Sequence, residues 1–326
     1  MDKIFVFTAA YNAEQTVRRT IESVINQSYS NLIYCIVNNG STDKTGEIIN
    51  SYSDDPRMVI FHRTKNDSLF WLDFLSPTIN DSGAKWFCHI DADDEYESEF
   101  IEKMYSFVCN NQLDLAACGY SKVDGITNEV LSTRVLSEHL IIEGNDYTDK
   151  FIEYRGFTIY WWAKLVSVPI FLNVLKDFQN PSKTCNDSVF MLDVFYESKR
   201  AGIYAESLIK YYQYSNSHLR KTFSEEFEHG QIVLWKATKN YLQKYGNISN
   251  INEDFLYAIY FSQLEELFER VRTADISLKD KRETIQRLLN NGITYEMLER
   301  DADPLFKNLL KRKHLITNIK KEFHIE

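Results

Sequence analysis

Short apolar runs alternate with helical patterns through the first hundred residues of this 326-residue chain. Four runs have the length and the β-branched and aromatic content of strands: Ile4–Thr8, Leu32–Val37, Met58–Phe61 and Trp86–Ile90. Between the first two, Val17 and Ile21 follow helical spacing, and Asn12 with Gln15 three positions later predicts a helix cap. Because strands that alternate with helices pair in parallel, the sequence predicts a doubly wound α/β sheet.

Polar loops follow three of these strands, beginning at Thr8, Asn38 and Asp91. The carboxyl ends of parallel strands meet at one edge of an open sheet, which is where ligands bind in such folds. We therefore expect the three loops to converge on a site. A nucleotide is the natural ligand, since Tyr11 can stack on a base and the second loop can form hydrogen bonds with it.

The fourth run ends in four acidic residues within five positions, Asp91 to Glu95. Carboxylates this close raise one another's pKa unless a cation or hydrogen bonds hold them. Oxygen ligands at Asp91 and Asp93 suit magnesium or manganese, which takes its remaining ligands from water and a substrate phosphate. The alternative is a solvated acidic turn that opens the next helix.

The glycine pattern narrows the nucleotide chemistry. None of the 11 glycines forms a Gly-x-Gly pair, and no Gly-Lys-Ser/Thr occurs. These absences disfavour a dinucleotide fingerprint, a Gly-rich methyltransferase loop and a P-loop. A diphosphate must then be held mainly by a metal and side chains, which again indicates Asp91 and Asp93.

Composition excludes several other classes. The net charge of −10 (37 − 47) disfavours a general binder of nucleic acid or anionic membrane. Five cysteines without a Cys-x-x-Cys pair are typical of a reduced, cytoplasmic protein. No signal peptide is recognisable, and the apolar stretch Thr158–Leu175 contains Lys164 and Pro169, so we interpret it as core.

Three segments together resemble the nucleotide-sugar motifs of family 2 glycosyltransferases, in their order and spacing. They are Thr8-Ala9-Ala10-Tyr11-Asn12, Asn38-Asn39-Gly40-Ser41-Thr42-Asp43 and Ile90-Asp91-Ala92-Asp93-Asp94. The resemblance implies a GT-A fold, a Rossmann-like and mostly parallel sheet that binds a nucleoside-diphosphate sugar with Mn²⁺ or Mg²⁺. It covers roughly the first 220 residues and implies a catalytic domain of residues 1–222.

The resemblance also assigns roles to individual residues. Asp91 and Asp93 become the Asp-x-Asp metal ligands, with Asp93 the more direct one. The residues assigned to the nucleotide sugar are Thr8, Ala10, Tyr11, Asn38, Asn39, Arg63, Asp91 and Ala92. Asn38 and Asn39 depart from the family, which usually has aspartates there, one of which accepts the N3 hydrogen of uracil. An amide can accept or donate, so the preferred base stays open. The family's usual Ala-Arg-Asn segment is absent, and Arg63 or Lys65 either supplies the missing cation or is a surface residue.

Two later positions complete the implied site. Asp187 matches the aspartate that serves this family as catalytic base, although Asn186 replaces the usual glutamate before it. An ordinary helix cap is the alternative for this pair. His218 follows the predicted late strand Leu208–Tyr214 and is either a third metal ligand or an exposed loop histidine.

The pattern changes after residue 223. Apolar residues recur at helical spacing from Phe227 to Leu289, which predicts a helical C-terminal domain of residues 223–326 with four or five helices. Its end is basic at Lys311, Arg312, Lys313, Lys320 and Lys321. These charges indicate either solvated helix faces or docking onto a membrane, a partner or a second copy of the chain.

The sequence thus favours an inverting, metal-dependent glycosyltransferase that uses a nucleoside-diphosphate sugar, with UDP-sugars the first choice. Its acceptor would be a hydroxyl of a glycan, glycolipid or glycoprotein in bacterial polysaccharide assembly. We expect it in the cytoplasm or at the inner face of the membrane. Two alternatives are a nucleotidyltransferase and a non-catalytic relative that binds nucleotides or saccharides.

Overall fold

The computed structural model describes residues 1–179, 184–214 and 223–325. Two compact units divide these residues. One comprises residues 1–179 and 190–214, and the other residues 184–189 and 223–325. The predicted domain boundary at 222/223 borders residues outside the described part, so it stays a prediction.

A ten-stranded sheet is the centre of the first unit as described. In chain order its strands are β1 (Ile4–Ala10), β2 (Leu32–Asn39), β3 (Met58–Arg63), β4 (Trp86–His89), β5 (Glu95–Tyr96), β6 (Leu115–Asp124), β7 (Val130–Arg134), β8 (Leu140–Glu143), β9 (Lys164–Ser167) and β10 (Arg200–Gln213). Their spatial order is β3-β2-β1-β4-β9-β6-β10-β5, with β7 beside β6 and β8 beside β10. The pairs among β1 to β4 are parallel, which confirms the predicted strand–helix alternation. Strand β9 is antiparallel to both neighbours, and the sequence analysis did not predict it.

The connections of this unit are helical. The helices are α1 (Val17–Ile25), α2 (Thr45–Asn50), α3 (Trp71–Ser82), α4 (Phe100–Asn111), α5 (Asp146–Asp149), α6 (Phe151–Tyr154), α7 (Val168–Asp177) and α8 (Asn186–Glu197), of which residues 190–197 belong to this unit. The cap prediction at Asn12 is wrong, because α1 begins at Val17 and Asn12 has a φ of +48°. The Asn12 side chain instead accepts a hydrogen bond from the backbone N–H of Thr42, 2.9 Å away.

Apolar side chains cover both faces of the sheet, which explains why its strands are almost continuous hydrophobic runs. On one face, Ile4 and Val6 belong to the buried cluster that includes Ile21 of α1 and Met104 of α4. On the other, the ring of Phe5 lies 6.2 Å from that of Phe87, between centroids. Three of the five cysteines, Cys35, Cys88 and Cys118, are buried in this unit.

The stretch Thr158–Leu175 supplies β9 and most of α7. Among the residues described, no helix has both the length and the apolar content needed to cross a membrane.

The second unit is helical, as predicted, but its described residues form six helices where four or five were expected. Its helices are α9 (Glu225–Gln243), α10 (Asn250–Thr273), α11 (Leu278–Leu289), α12 (Gly292–Glu299), the four-residue α13 (Lys307–Leu310) and α14 (Arg312–Phe323). Ser224, Ser249 and Ser277 cap three of them by accepting hydrogen bonds from backbone N–H groups. Arg312, counted above with the basic end, is buried and donates to the backbone oxygens of Leu309 and Arg300.

Candidate active site

The loops after β1 and β2 are joined by hydrogen bonds. The backbone N–H of Asn12 donates to Oγ of Ser41 at 3.0 Å, and that of Ala13 donates to Oγ1 of Thr45 at 2.7 Å. The reciprocal contact from Thr42 to the Asn12 side chain completes the junction. These two loops therefore converge at the carboxyl edge of the sheet, as the strand order predicts.

The residues predicted to line the base and ribose differ in their exposure. Ala10 is buried and lies beside Asn38 in the sheet register. Thr8 is fully buried, and its hydroxyl donates to the backbone oxygen of Ile90 at 2.9 Å. This bond ties β1 to the end of β4. The ring of Tyr11, in contrast, is 47% exposed and available to a ligand.

The two asparagines at the end of β2 are buried in polar surroundings. Oδ1 of Asn38 accepts from the backbone N–H of Ser41 at 3.1 Å, and its Nδ2 lies 3.1 Å from Nδ1 of His62. The amide nitrogen of Asn39 donates to Oδ1 of Asn66 at 2.9 Å. Both asparagines therefore lie at the carboxyl edge of the sheet with their side chains held by hydrogen bonds.

Asp91 and Asp93 follow β4 directly. The Asp91 side chain is 47% exposed, and its Oδ1 accepts from Nε2 of His89 at 2.8 Å. Burial and the neighbouring Asp91 carboxylate raise the pKa of Asp93 to about 6, although a hydrogen bond from its own backbone N–H and the nearby Arg19 guanidinium oppose this rise. Two close carboxylates whose repulsion is only partly offset are a good match for a hard divalent ion.

Asp94 and Glu95, the next two acidic residues, form contacts within the fold. Asp94 is completely buried, and its Oδ1 accepts from the backbone N–H of Tyr212 at 2.9 Å. Burial, with Asp91 and Asp93 nearby, raises the pKa of Asp94 well above the usual value. Glu95 is paired with Lys210 at 2.9 Å. The acidic cluster is thus divided into two pairs. Asp91 and Asp93, the open pair, are only partly buried at the sheet edge, whereas Asp94 and Glu95 are held by contacts within the fold.

A polar stripe that begins at Thr16, just before α1, and continues along the helix holds the acidic loop and was not among the predicted features. Hydroxyls of Thr16 and Thr20 donate to the backbone oxygens of Ala92 and Asp94, at 2.9 and 2.7 Å. One turn further, Oγ of Ser23 accepts from the backbone of Tyr96 at 3.2 Å. The spacing of Thr16, Thr20 and Ser23 is helical, so a polar stripe beside the apolar one was the available signal.

Arg19 also holds the acidic loop, and it was not among the residues predicted from the sequence. Its guanidinium donates to the backbone oxygen of Asp93 at 2.6 Å and to the Tyr214 hydroxyl at 3.2 Å. The guanidinium carbon also lies 3.5 Å from the centre of the Tyr212 ring. No local pattern marks these contacts, because they join α1 to a strand almost 200 positions later.

The remaining predicted residues are placed as follows. Arg63 stacks over the Phe70 ring at 4.5 Å and lies 3.4 Å from the Asp67 carboxylate, so it is partly engaged within its own loop. Asp187 is in the first turn of α8 and belongs to the second unit. His218 lies outside the described residues.

No three His, Cys, Asp or Glu side chains form a complete metal cage in residues 1–179, 184–214 or 223–325. The acidic loop therefore offers two carboxylates, the number with which Mg²⁺ and similar ions are commonly bound when a substrate phosphate and water supply the other ligands.

Comparison with known proteins agrees with this architecture. Glycosyltransferase GlyA of Streptococcus pneumoniae is 26% identical over 331 residues, an alignment that covers 98% of this chain and 46% of that protein. The chain thus spans less than half the length of this relative.

Two solved structures share the fold. The S. aureus TarS 1-349 complex with UDP-GlcNAc has a TM-score of 0.62 at 13% identity, covering 99% of this chain and 91% of that one. Mannosyltransferase PcManGT from Pyrobaculum calidifontis, in complex with GDP-Man and Mn²⁺, has a TM-score of 0.53 at 11% identity, covering 97% and 87%.

The sequence itself identifies the family. Residues 5–165, which contain β1 to β4 and their three loops, match the family model described as glycosyl transferase family 2. With this match, its named relatives and its α/β fold, the chain belongs to glycosyl transferase family 2.

Proposed function

We propose that this chain transfers a sugar from a nucleoside-diphosphate sugar, a UDP-sugar in the first instance, to an acceptor hydroxyl with inversion at the anomeric carbon. The acceptor would be a glycan, glycolipid or glycoprotein. The observation that carries the proposal is the open carboxylate pair Asp91 and Asp93 at the sheet edge of a family 2 chain.

A divalent metal fits this pair. The raised pKa of Asp93 reflects burial beside another carboxylate, a situation that a bound cation relieves. Asp91 and Asp93 would hold the ion, and when bound it neutralises charge on the departing diphosphate. The Mn²⁺ in the PcManGT complex supports this choice. His218 stays a proposed third ligand.

Base binding and proton transfer would be carried out by side chains of the protein. Tyr11, with its exposed ring, would stack on the base, while Asn38 and Asn39 form hydrogen bonds with it. Asp187 would accept the proton of the acceptor hydroxyl as that oxygen attacks the anomeric carbon. General-base help of this kind is worth roughly 10²–10⁴-fold in rate. A single displacement from the opposite face gives inversion.

The first test measures release of nucleoside diphosphate from UDP-, GDP- and dTDP-sugars with Mn²⁺, with and without a chelator. We expect one donor class to turn over and the chelator to abolish it. The anomeric configuration of the product, followed by NMR, then tests inversion. Release of pyrophosphate from a nucleoside triphosphate would indicate a nucleotidyltransferase instead, and binding without turnover over a broad acceptor panel a non-catalytic relative.

Asp187→Asn separates catalysis from binding. We expect kcat to fall by roughly 10²–10⁴-fold while the Kd of the nucleoside diphosphate changes little, because the base acts only on the acceptor. Asp177→Asn, the same change at an exposed position of α7, serves as the surface control. Undiminished transfer by Asp187→Asn would remove this residue from the mechanism.

A further inference from the structure

Asn39 is held by the segment that follows β3. Its Nδ2 donates to Oδ1 of Asn66 at 2.9 Å and to the backbone oxygen of Asp67 at 3.0 Å. Its Oδ1 faces the backbone N–H of Asp67 at 3.4 Å. A backbone carbonyl can only accept and a backbone N–H can only donate, so Asp67 fixes which end of the amide is oxygen.

The amide nitrogen has no hydrogen left for a ligand. An asparagine amide carries two N–H donors, and Asn66 and Asp67 take one each. The remaining capacity of Asn39 belongs to Oδ1, whose one contact is long. In hydrogen bonding Asn39 therefore acts as a carboxylate would, without the negative charge.

Gly40 makes this arrangement feasible. It has a φ of +77°, and a Cβ there would lie 2.5 Å from the carbonyl carbon of Lys65. Glycine accepts both the left-handed conformation and the close approach of the backbone. The chain at Lys65 and Asn66 can therefore pass directly over the end of β2.

Asn38 is held differently. Its Oδ1 accepts from Ser41, and one amide hydrogen points to Nδ1 of His62, whose Nε2 donates to Oδ1 of Asn50 at 2.9 Å. These contacts engage one of the two amide hydrogens, so Asn38 keeps donor capacity. Of the two residues, Asn39 is the one restricted to accepting.

We propose that Asn66 and Asp67 make Asn39 an obligate hydrogen-bond acceptor, so that the nucleotide site selects bases with a ring N–H over cytosine. Uracil, thymine and guanine carry such an N–H, whereas N3 of cytosine is a lone pair. A cytosine there would place two acceptors against each other in a buried site, which is unfavourable. This inference rests on the proposed function and deepens it by naming the base class.

Asn66→Ala tests whether Asn66 and Asp67 restrict Asn39 to accepting hydrogen bonds. Isothermal titration with UDP and CDP at saturating Mn²⁺ gives the ratio of the two Kd values for the native chain, for this variant and for Asn110→Ala, an exposed control on α4. We expect the native chain to prefer UDP by about tenfold or more. Asn66→Ala removes one of the two acceptors that hold the amide nitrogen, so that only Asp67 still orients the Asn39 amide and the amide can turn an N–H toward the base. The ratio should then fall severalfold, while Asn110→Ala leaves it unchanged.

A native ratio near one, or an equal loss of both affinities in Asn66→Ala, would overturn the inference while leaving a working nucleotide site. Absence of binding by either nucleotide would overturn the proposed function and this inference together.

Asn39→Asp provides a second test if Asn66→Ala does not fold. Although it introduces the residue usual in the family, it sets a carboxylate oxygen against two acceptors, so we expect weaker UDP binding. Tighter UDP binding by Asn39→Asp would contradict the proposal.

Discussion

The acidic loop after β4 and the α10–α12 region of the helical unit use charge in opposite ways. Around the acidic loop, Thr16, Thr20 and Arg19 donate to backbone oxygens and not to the carboxylates of Asp91 and Asp93. In the helical unit, Arg300 pairs with both Glu253 and Asp254. Holding a loop by its backbone leaves its side chains available for chemistry, whereas pairing side chains consumes them for stability.

The largest expected effect is on the open pair. Asp93→Asn should reduce transfer by on the order of 10³-fold or more, because it removes a ligand to the ion that stabilises the departing diphosphate. The melting temperature should not fall, since the Asp93 charge is itself unfavourable where it is buried beside Asp91, as the raised pKa shows. Rates of nucleoside-diphosphate release and a thermal melt give both readings.

Glu283→Gln, the same type of neutralisation on the exposed face of α11, is the control for Asp93→Asn and should leave transfer intact. Equal losses in the two variants would mean that net charge, and not the site, controls the rate.

Asp254→Ala should have the largest effect on stability. Its carboxylate is nearly buried, pairs with Arg300 and accepts from the backbone N–H of Asp303 at 3.0 Å. Removing it leaves the backbone N–H of Asp303 without its acceptor and takes one of two carboxylates from the partly buried Arg300, which Glu253 still contacts at 2.8 Å, so the cost is about 3 kcal/mol. Urea unfolding gives the free energy, and the transfer rate per folded molecule should change little. A loss of unfolding free energy below about 1 kcal/mol would show that the Asp254–Arg300 pair contributes no more than an exposed ion pair.

Thr20→Val should have an intermediate effect in the other region. The shape is retained, but the backbone oxygen of Asp94 loses its buried donor, at a cost of about 1–3 kcal/mol in unfolding free energy. We also expect transfer to fall, since the loop carrying Asp91 and Asp93 loosens. Ser51→Ala, which removes an exposed hydroxyl contact after α2, is the matched control. Stability loss with unchanged kcat and KM would show that the stripe on α1 stabilises the fold without positioning the site.

Lys279→Ala should have the smallest effect. Its side chain is 82% exposed and lies 3.8 Å from Glu283 on α11, so the pair is worth roughly 0–0.5 kcal/mol. Chemical denaturation at low and high salt should detect almost no difference from the native chain. A loss well above about 1 kcal/mol would show that exposed pairs in the helical unit contribute as buried ones do.

Much of the fold was predictable because its signals are local. The runs at Ile4, Leu32, Met58 and Trp86 became β1 to β4, since a strand buried on both faces needs a continuous apolar run. Helical spacing after residue 223 likewise predicted a helical unit. Strand β9 escaped prediction because it is short and antiparallel, and its place between β4 and β6 is a long-range choice.

The sequence by itself determined the residue types at the sheet edge, the alternation of strands and helices, and the order of the three loops. These follow from hydrophobic periodicity and motif spacing, which are properties of neighbouring residues. Only the tertiary structure divided the acidic cluster, leaving Asp91 and Asp93 open while Asp94 and Glu95 serve the fold. It also turned the donors of Asn39 inward to Asn66 and Asp67. Burial and hydrogen-bond partners depend on what packs against a residue, and in both cases those partners come from distant parts of the chain.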